Sequence, residues 1–490
     1  MKTLTGKNTI QSLFIFFLIF LSFGTRMTIH RFISGFHEYE TAFLYAGDIF
    51  LILFLFLGWR YIKNAFLDQG PILLISLGLF ELFAFLSIFF AYSPGLAIYN
   101  FIRLELLMFF ALGLGEMVRQ KIITPKIIFG SIAVLASLQA LIGVGQFAIQ
   151  RSFGLGILGE STLSPNVPGV AKIPVAGLRL IRGYGTFPHP NVLAAFLLLG
   201  LFSLYWWYIK YDWEKMGFVY DKRKSIRKNF TEYRRATKFG RRLAVSVGIG
   251  AVISGIVFSF SRAAWLIGTF LTVLFIGRLF SRKEYRRPTR RLLIMIVAIT
   301  VLIISIFHWA VFPRAVISAR EPAVTERIAY NKIGVNIIEN NFSGVGIGNQ
   351  VLYAVKNNIY QDLTGMDRAY EWQPVHNLYL LVASEIGVVG LLAFLTFLLL
   401  LFLNPEQYQN SNTENPKRFW PFKFQISNLF QVSSLEFGIS RLMLVALLLY
   451  GLGDHFLWTL EPGRIMLWLI IGFLLGTRGI AGKVGISKRP

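Results

Sequence analysis

The sequence predicts an all-α polytopic membrane protein with about twelve transmembrane helices. Three observations carry that prediction. The 490 residues are 55% hydrophobic and only 15% charged, with a mean hydropathy of +0.58, whereas soluble domains carry about 25% charged residues. Apolar runs recur along the whole chain, each near the ~20 residues that cross a bilayer at ~1.5 Å per residue. Between several of them stand strongly basic segments. The 47 Phe suit lipid-facing and inter-helix packing and do not by themselves indicate an aromatic ligand site. The chain has no Cys, which excludes disulfides, thiolate catalysis and Cys-ligated zinc.

The first span is expected over residues 9–25. A basic start precedes its apolar core, as in a signal peptide, but no A-x-A-like site follows, so it reads as an uncleaved helix. The next spans are expected at 42–59, 71–91, 96–118 and 124–148, and then at 191–210, 243–260, 263–280 and 292–311. The last three are expected at 385–403, 438–455 and 464–480. Residues 1–311 thus hold nine helices, 312–384 form a large loop, and 385–490 hold three more helices. Between the seventh and eighth spans, Ser261-Arg262 marks a tight turn or a re-entrant bend.

Charge orients the set. Segment 211–242 carries eleven Lys/Arg against four Asp/Glu, segment 278–291 ("RLFSRKEYRRPTRR") is similarly biased, and the chain ends "KVGISKRP". All three fall on one side of the twelve-span topology. The positive-inside rule makes that side cytoplasmic, together with both termini and the polar segment 405–437. The net charge of +24 is therefore assigned to cytoplasmic loops beside anionic lipid, and no nucleic-acid partner is expected. Segments 149–190 and 312–384 then lie outside. Both are too long to be simple connectors, and loops held on a rigid scaffold often carry function. Within the second, "ERIAYNKIGVNIIEN" (326–340) spaces Ile328, Ile333, Val335, Ile337 and Ile338 as an amphipathic helix on the outer membrane face.

The polar residues at the outer span ends are the candidates for chemistry. "RLIRGYGTFPHPNVLAAF" (179–196) offers Arg179, Arg182, Thr186, His189 and Asn191, with Asn191 placed to cap the following helix. "FSFSRAAWLIG" puts Arg262 between two apolar runs, where it must snorkel or be paired. Arg103 and Glu105 enter the fourth span, where i and i+2 residues do not face each other, so each needs a partner elsewhere. The large loop adds Arg320 and Arg327, and "FSGVGIGNQ" with Gly344, Gly346 and Gly348, which permit tight turns or close approach to a ligand but lack the context of a dinucleotide fingerprint. "PVHNLYLLVASEIGVVGLL" (374–392) sets His376 and Asn377 at the mouth of a hydrophobic helix. Glu385 is nine residues on and out of phase with His376. "GLGDHFLWTLEPGR" places Asp454 and His455 at the outer end of the eleventh span.

Arginines bind phosphate bidentately and stay charged. A neutral His can take a hydroxyl proton near pH 7. Outside the membrane there is no ATP, so an already activated lipid-diphosphate sugar fits this set as a donor. Arg would stabilise the departing diphosphate, and His would activate an acceptor hydroxyl.

In order and spacing, "GYGTFPHPNVLAAFL", "FSFSRAAWLIG", "NNFSGVGIGNQ" and "VHNLYLLVASEIGVVGLL" resemble the motif series of the O-antigen ligase and O-antigen polymerase family. The similarity is strongest from about 180 to 392. The resemblance implies a GT-C-like membrane fold and transfer of glycan from undecaprenyl diphosphate to an acceptor hydroxyl of a glycan, lipid or protein at the outer face of the cytoplasmic membrane. It implies no cofactor and no metal. The family's essential His is matched by His376, and its diphosphate-binding arginines by Arg262, with Arg182 and Arg327 as further candidates. Arg179, His189 and Asn377 complete the expected substrate-binding set, although many members carry Gly or Asn where His189 stands. The competing class is a lipid-linked oligosaccharide flippase or other transporter. It would also want cationic residues, but transporters typically carry internal repeats and midplane sites, and no repeat is evident here.

Overall fold

The computed structural model describes residues 2–34, 37–210, 225, 239–316, 321–403 and 435–484. It is 76% helical, and among the described residues the strands form two short antiparallel hairpins. The predicted cytoplasmic segment 405–437 lies almost entirely outside the described residues, as do most of 211–242, Arg320 and the final 485–490. The chain divides into two compact units: residues 1–124, 157–159 and 317–490 form the first, and 125–156 and 160–316 the second.

In the first unit, α1 (Lys2–Ser22) leads through strands β1 (Arg26–Arg31) and β2 (Thr41–Tyr45) into α2 (Ala46–Asp68), followed by α3 (Pro71–Leu86) and α4 (Pro94–Arg119). After the second unit come α10 (Pro322–Asn340), the short α11 (Gln350–Lys356) and α12 (Ile359–Thr364), and α13 (Leu378–Leu403). The unit closes with α14 (Leu435–Gly451), the single turn α15 (Phe456–Thr459) and α16 (Glu461–Val484). Helix α4 lies along α16, and glycines make that approach possible. A Cβ on Gly115 would meet Leu475 and the Gly472 carbonyl, and one on Gly472 would meet the Ala111 backbone. Small residues at such seams let helices pack closely where no hydrophobic effect drives them together. Arg103 finds its partners in the first turns of two neighbouring helices. Its guanidinium pairs with Asp48 of α2 at 2.6 Å and with Glu461 of α16, all three side chains being buried. Glu105 instead faces Glu81 of α3.

The glycine run of the large loop packs against α13. At Gly387 (φ 82°, ψ 164°) α13 departs from helical geometry, in a backbone region that only glycine adopts readily. Loop 342–348 runs into that break. Val345 N donates to Ser384 O and Gly346 N to Glu385 O, each at 2.9 Å, and Val388 N donates to Phe342 O at 3.2 Å. The Glu385 carboxylate accepts from Gly348 N and from Trp458 Nε1, both at 2.7 Å. A Cβ at Gly387 would collide with the Ser343 backbone. Gly387→Ala is therefore expected to cost about 1–3 kcal/mol from backbone strain alone, read as a lowered midpoint of thermal unfolding in detergent.

The second unit comprises α5 (Pro125–Ile149), the hairpin β3 (Lys172–Val175) and β4 (Leu178–Ile181), α6 (Pro190–Lys210), α7 (Phe239–Phe258), α8 (Arg262–Phe280) and α9 (Arg286–Ala315). Helix α6 is apolar on every face, and 94% of its central window is buried, as a helix without a polar stripe requires. It packs against α5, α7 and α8. Only 11% of the corresponding window of α9 is covered, as for a helix that borders lipid. Inside α9, Phe307 leaves helical geometry and Pro313 falls in the last turn.

Among the described residues eight helices are long and apolar enough to cross a membrane: α2, α3, α5, α6, α7, α8, α9 and α13. The other four expected spans also fold as helices, namely α1, α4, α14 and α16. Helices α9 and α13 outrun their expected bounds of 292–311 and 385–403, so the outer loop between them is shorter than 312–384.

Candidate functional site

In the first unit His376 stands just before α13. Asn377 caps that helix: its Oδ1 accepts from Tyr379 N at 2.9 Å and Leu380 N at 3.1 Å. Its Nδ2 donates to Leu452 O at 3.2 Å. The Asn377 side chain, expected in the substrate-binding set, thus fixes where α13 begins. Nδ1 of His376 lies 2.9 Å from Pro374 O. A carbonyl can only accept, so Nδ1 carries the proton and the Nε2 lone pair is left for other chemistry. The imidazole stacks on Tyr330 of α10 (centroids 4.8 Å, 14°) and meets His455 edge to face at 4.8 Å. His455 Nδ1 is 2.7 Å from Thr459 Oγ1, and its backbone N–H donates to Asp454 Oδ1 at 2.9 Å.

The electrostatics keep His376 neutral. Burial, more than any charge, pulls its pKa below the ordinary histidine value; Asp454 pushes it back up, and Arg327 of α10 pulls it further down. The charge of Arg327 is thus felt at His376. The amphipathic reading of α10 holds with a shifted face: Tyr330, Ile333 and Ile337 are buried, whereas Ile328 and Val335 are exposed. The buried side belongs to a cluster with Val345, Val351, Ala354 and Tyr360. Glu385, out of phase with His376 in the sequence, does not contact it and is committed to Gly348 and Trp458.

In the second unit three arginines converge on the turn between α7 and α8. The break at Ser261-Arg262 is a tight turn, with Phe260 at a positive φ of 48°, a strained conformation for a bulky residue. The carbonyls that end α7 point into this turn and need donors. Arg182 Nε donates to Ser259 O at 2.6 Å, Arg314 Nε to Phe260 O at 3.2 Å, and Gly183 N to Phe258 O at 2.9 Å. Arg262, the first residue of α8, reaches back to Val316 O at 3.3 Å. Positive charge at the C-terminal end of α7 also suits the helix dipole.

Asn191 is not the cap of α6. Its Oδ1 accepts from Arg182 at 2.8 Å. The helix starts one residue earlier, at Pro190, and His189 performs the capping. The His189 carbonyl accepts from Val192 N and Leu193 N, and its Nδ1 accepts from Asn191 N at 3.2 Å. The preceding loop is pinned by two glutamines of α5. Gln139 exchanges hydrogen bonds with Thr186, and Gln146 with Tyr184 and Gly185. Arg179 sits exposed on β4 opposite Pro174 and is not drawn into the cluster of Arg182, Arg262 and Arg314.

Sequence reasoning therefore named His376, Arg327, Arg182 and Arg262 where the structure builds polar clusters. It missed Tyr330 and Arg314. Arg314 carried a usable clue, an arginine right after a proline at the end of an apolar run. Tyr330 looked like one more residue of an amphipathic face.

Among the described residues the chain folds as a helical protein with eight helices long and apolar enough to cross a membrane, as a polytopic membrane protein requires. Residues 243–395, which hold Arg262, Arg314, Arg327 and His376, match the family model described as O-antigen ligase. The match supports assigning the chain to the O-antigen ligase and polymerase family. Proteins of that family are membrane glycosyltransferase-like enzymes that handle lipid-linked glycans, and the match supports that general activity for this chain. No curated protein matches the chain.

Proposed function

We propose that the protein transfers a glycan from undecaprenyl diphosphate to an acceptor hydroxyl at the outer face of the cytoplasmic membrane, with both termini cytoplasmic. The observation that carries this reading is the fixed tautomer of His376, whose Nδ1 is engaged by Pro374 O. Its Nε2 takes the acceptor proton while the acceptor oxygen bonds to the anomeric carbon. The bond from that carbon to the diphosphate breaks, and the diphosphate leaves with the electron pair. The negative charge of Asp454, felt at His376 through space, favours the imidazolium that forms, and the stacked Tyr330 ring adds a cation–π contribution. Arg327, whose charge is felt at His376, is the first candidate to stabilise the departing diphosphate, and Arg262 and Arg182 are the further anion-binding candidates. Arg179, His189 and Asn377 take secondary parts in binding, since His189 and Asn377 also cap helices. Acceptors are a second lipid-linked glycan for a polymerase, and a lipid or a protein for a ligase.

The test uses purified protein in liposomes supplied with an undecaprenyl-diphosphate-linked glycan and an acceptor. Transfer releases undecaprenyl diphosphate in step with coupled glycan. Movement of intact donor between leaflets without release would identify the flippase instead. Arg262→Lys is expected to slow transfer markedly in this assay, because Lys keeps the charge but loses the bidentate fork; full activity would argue against bidentate phosphate binding there.

A further inference from the structure

The segment that carries His376 is held from the N-terminal hairpin, far outside residues 243–395. His37 Nε2 lies 3.0 Å from Trp372 O, so it donates to that carbonyl and leaves Nδ1 as an acceptor when the ring is neutral. Tyr39 OH donates to Gln373 Oε1 at 3.0 Å, and its ring meets His455 edge to face at 5.5 Å. From the other side, Tyr330 OH donates to Glu371 O at 2.8 Å and Tyr360 OH to Gln373 O at 2.6 Å. The segment ends at Pro374, whose carbonyl orients His376. Behind His37 stands Glu40, fully buried, with Oε2 at 3.3 Å from His37 Nδ1. Among the described residues neither oxygen of the Glu40 carboxyl has a hydrogen-bond partner. Thr41 Oγ1 donates to His37 O at 2.6 Å and holds the turn in register.

We propose that His37 and Glu40 form a proton-sharing latch that clamps segment 371–376 and so positions His376. The role given to His376 rests on the glycan-transfer reading above; the latch itself does not. One proton between Glu40 and His37 Nδ1 satisfies both groups in the interior, and a bare carboxylate there would be left without compensation. The groups around the pair agree. Burial pushes the Glu40 carboxyl up to about 7, opposed by Lys356 of α11. Burial pulls His37 below its ordinary value, opposed by the Trp372 and Ala369 carbonyls and by Glu38. Tyr360 of α12 faces Glu40, and Glu38, Asp454 and Tyr330 face Tyr39.

The signs fix the window. The contribution of Glu40, whose value is raised, is complete below the ordinary carboxylate range and is lost as pH rises through about 7. The contribution of His37, whose value is lowered, is present above the ordinary histidine value of 6.5 and is lost as pH falls through the lowered one. The latch is therefore tight between the lowered His37 value and about 7, and opens on the alkaline side by loss of the shared proton.

Hydrogen exchange read by mass spectrometry on the full-length protein in detergent tests this without substrate. After correction for intrinsic rates, exchange across 371–377 should rise about fivefold between about pH 6.5 and 8.5, the scale of one lost hydrogen bond. In Glu40→Gln the amide can donate to His37 at any pH, so the rise should disappear. In His37→Phe exchange should be fast throughout. Peptides of α5 and α6 should stay unchanged and report that the protein is folded. A pH step that persists in Glu40→Gln, or wild-type exchange in His37→Phe, overturns the latch. Fast exchange in His37→Phe together with undiminished glycan transfer would leave the clamp on 371–376 standing and overturn its part in positioning His376.

Discussion

His376→Ala is expected to reduce glycan transfer by about 100- to 10,000-fold, the range associated with loss of a general base, while the protein stays folded. The argument is local. The imidazole is partly buried against Tyr330 and His455 and its pKa is lowered by burial, so it is neutral and basic near pH 7. Removing it deletes one hydrogen bond to a loop carbonyl and leaves the cap of α13, made by Asn377, in place. Thermal unfolding should therefore shift little. Activity should also fall on acidification, as protonation of Nε2 removes the base. His376→Gln can keep the hydrogen bond to Pro374 O but has no proton-accepting nitrogen, and it should be as inactive as the Ala variant. Transfer by either variant at the wild-type rate sinks the assignment.

The largest stability effect is expected at Arg103. This side chain holds Asp48 of α2 and Glu461 of α16 from α4, and all three are buried. Arg103→Met leaves two buried acids facing each other without the guanidinium that bridges them, with Arg464 still acting on Glu461, and breaking a buried pair in this way costs about 3–5 kcal/mol. A large drop in the unfolding midpoint in detergent is the expected reading. Adding Asp48→Asn and Glu461→Gln to Arg103→Met should recover much of the loss, since the charges that made the single change costly are gone. An unshifted midpoint in Arg103→Met would show that the triad does not tie these helices.

Much of this architecture was legible in the sequence because bilayer thickness leaves a length-specific mark. All twelve apolar runs fold as helices, and the basic segments fall between them. What the sequence hid were long-range partners. Nothing near Arg103 pointed to Asp48 or Glu461, the second being over three hundred residues away. Glycines 344, 346 and 348 read as tight turns or a close approach to a ligand; they do adopt positive φ, but that their loop bonds to the broken helix at Gly387 was not legible. Asn191 obeyed the local rule for a cap, but Arg182 claimed its side chain and His189 took its place. For the site, His376 was visible as a polar residue at the mouth of an apolar helix, and Arg327 as a cation of the large loop. The contribution of Glu40 and His37 was not, because their target segment lies more than 330 residues downstream.

The measurement that tests the account most directly is made in cells lacking the protein and complemented with wild type or His376→Ala. Mass spectrometry would give the amount of lipid-linked glycan, and an impermeant glycosidase its leaflet. The account predicts accumulation on the outer leaflet, cleared by wild type and left intact by His376→Ala. Accumulation on the inner leaflet, or clearance by His376→Ala equal to that by wild type, would contradict it.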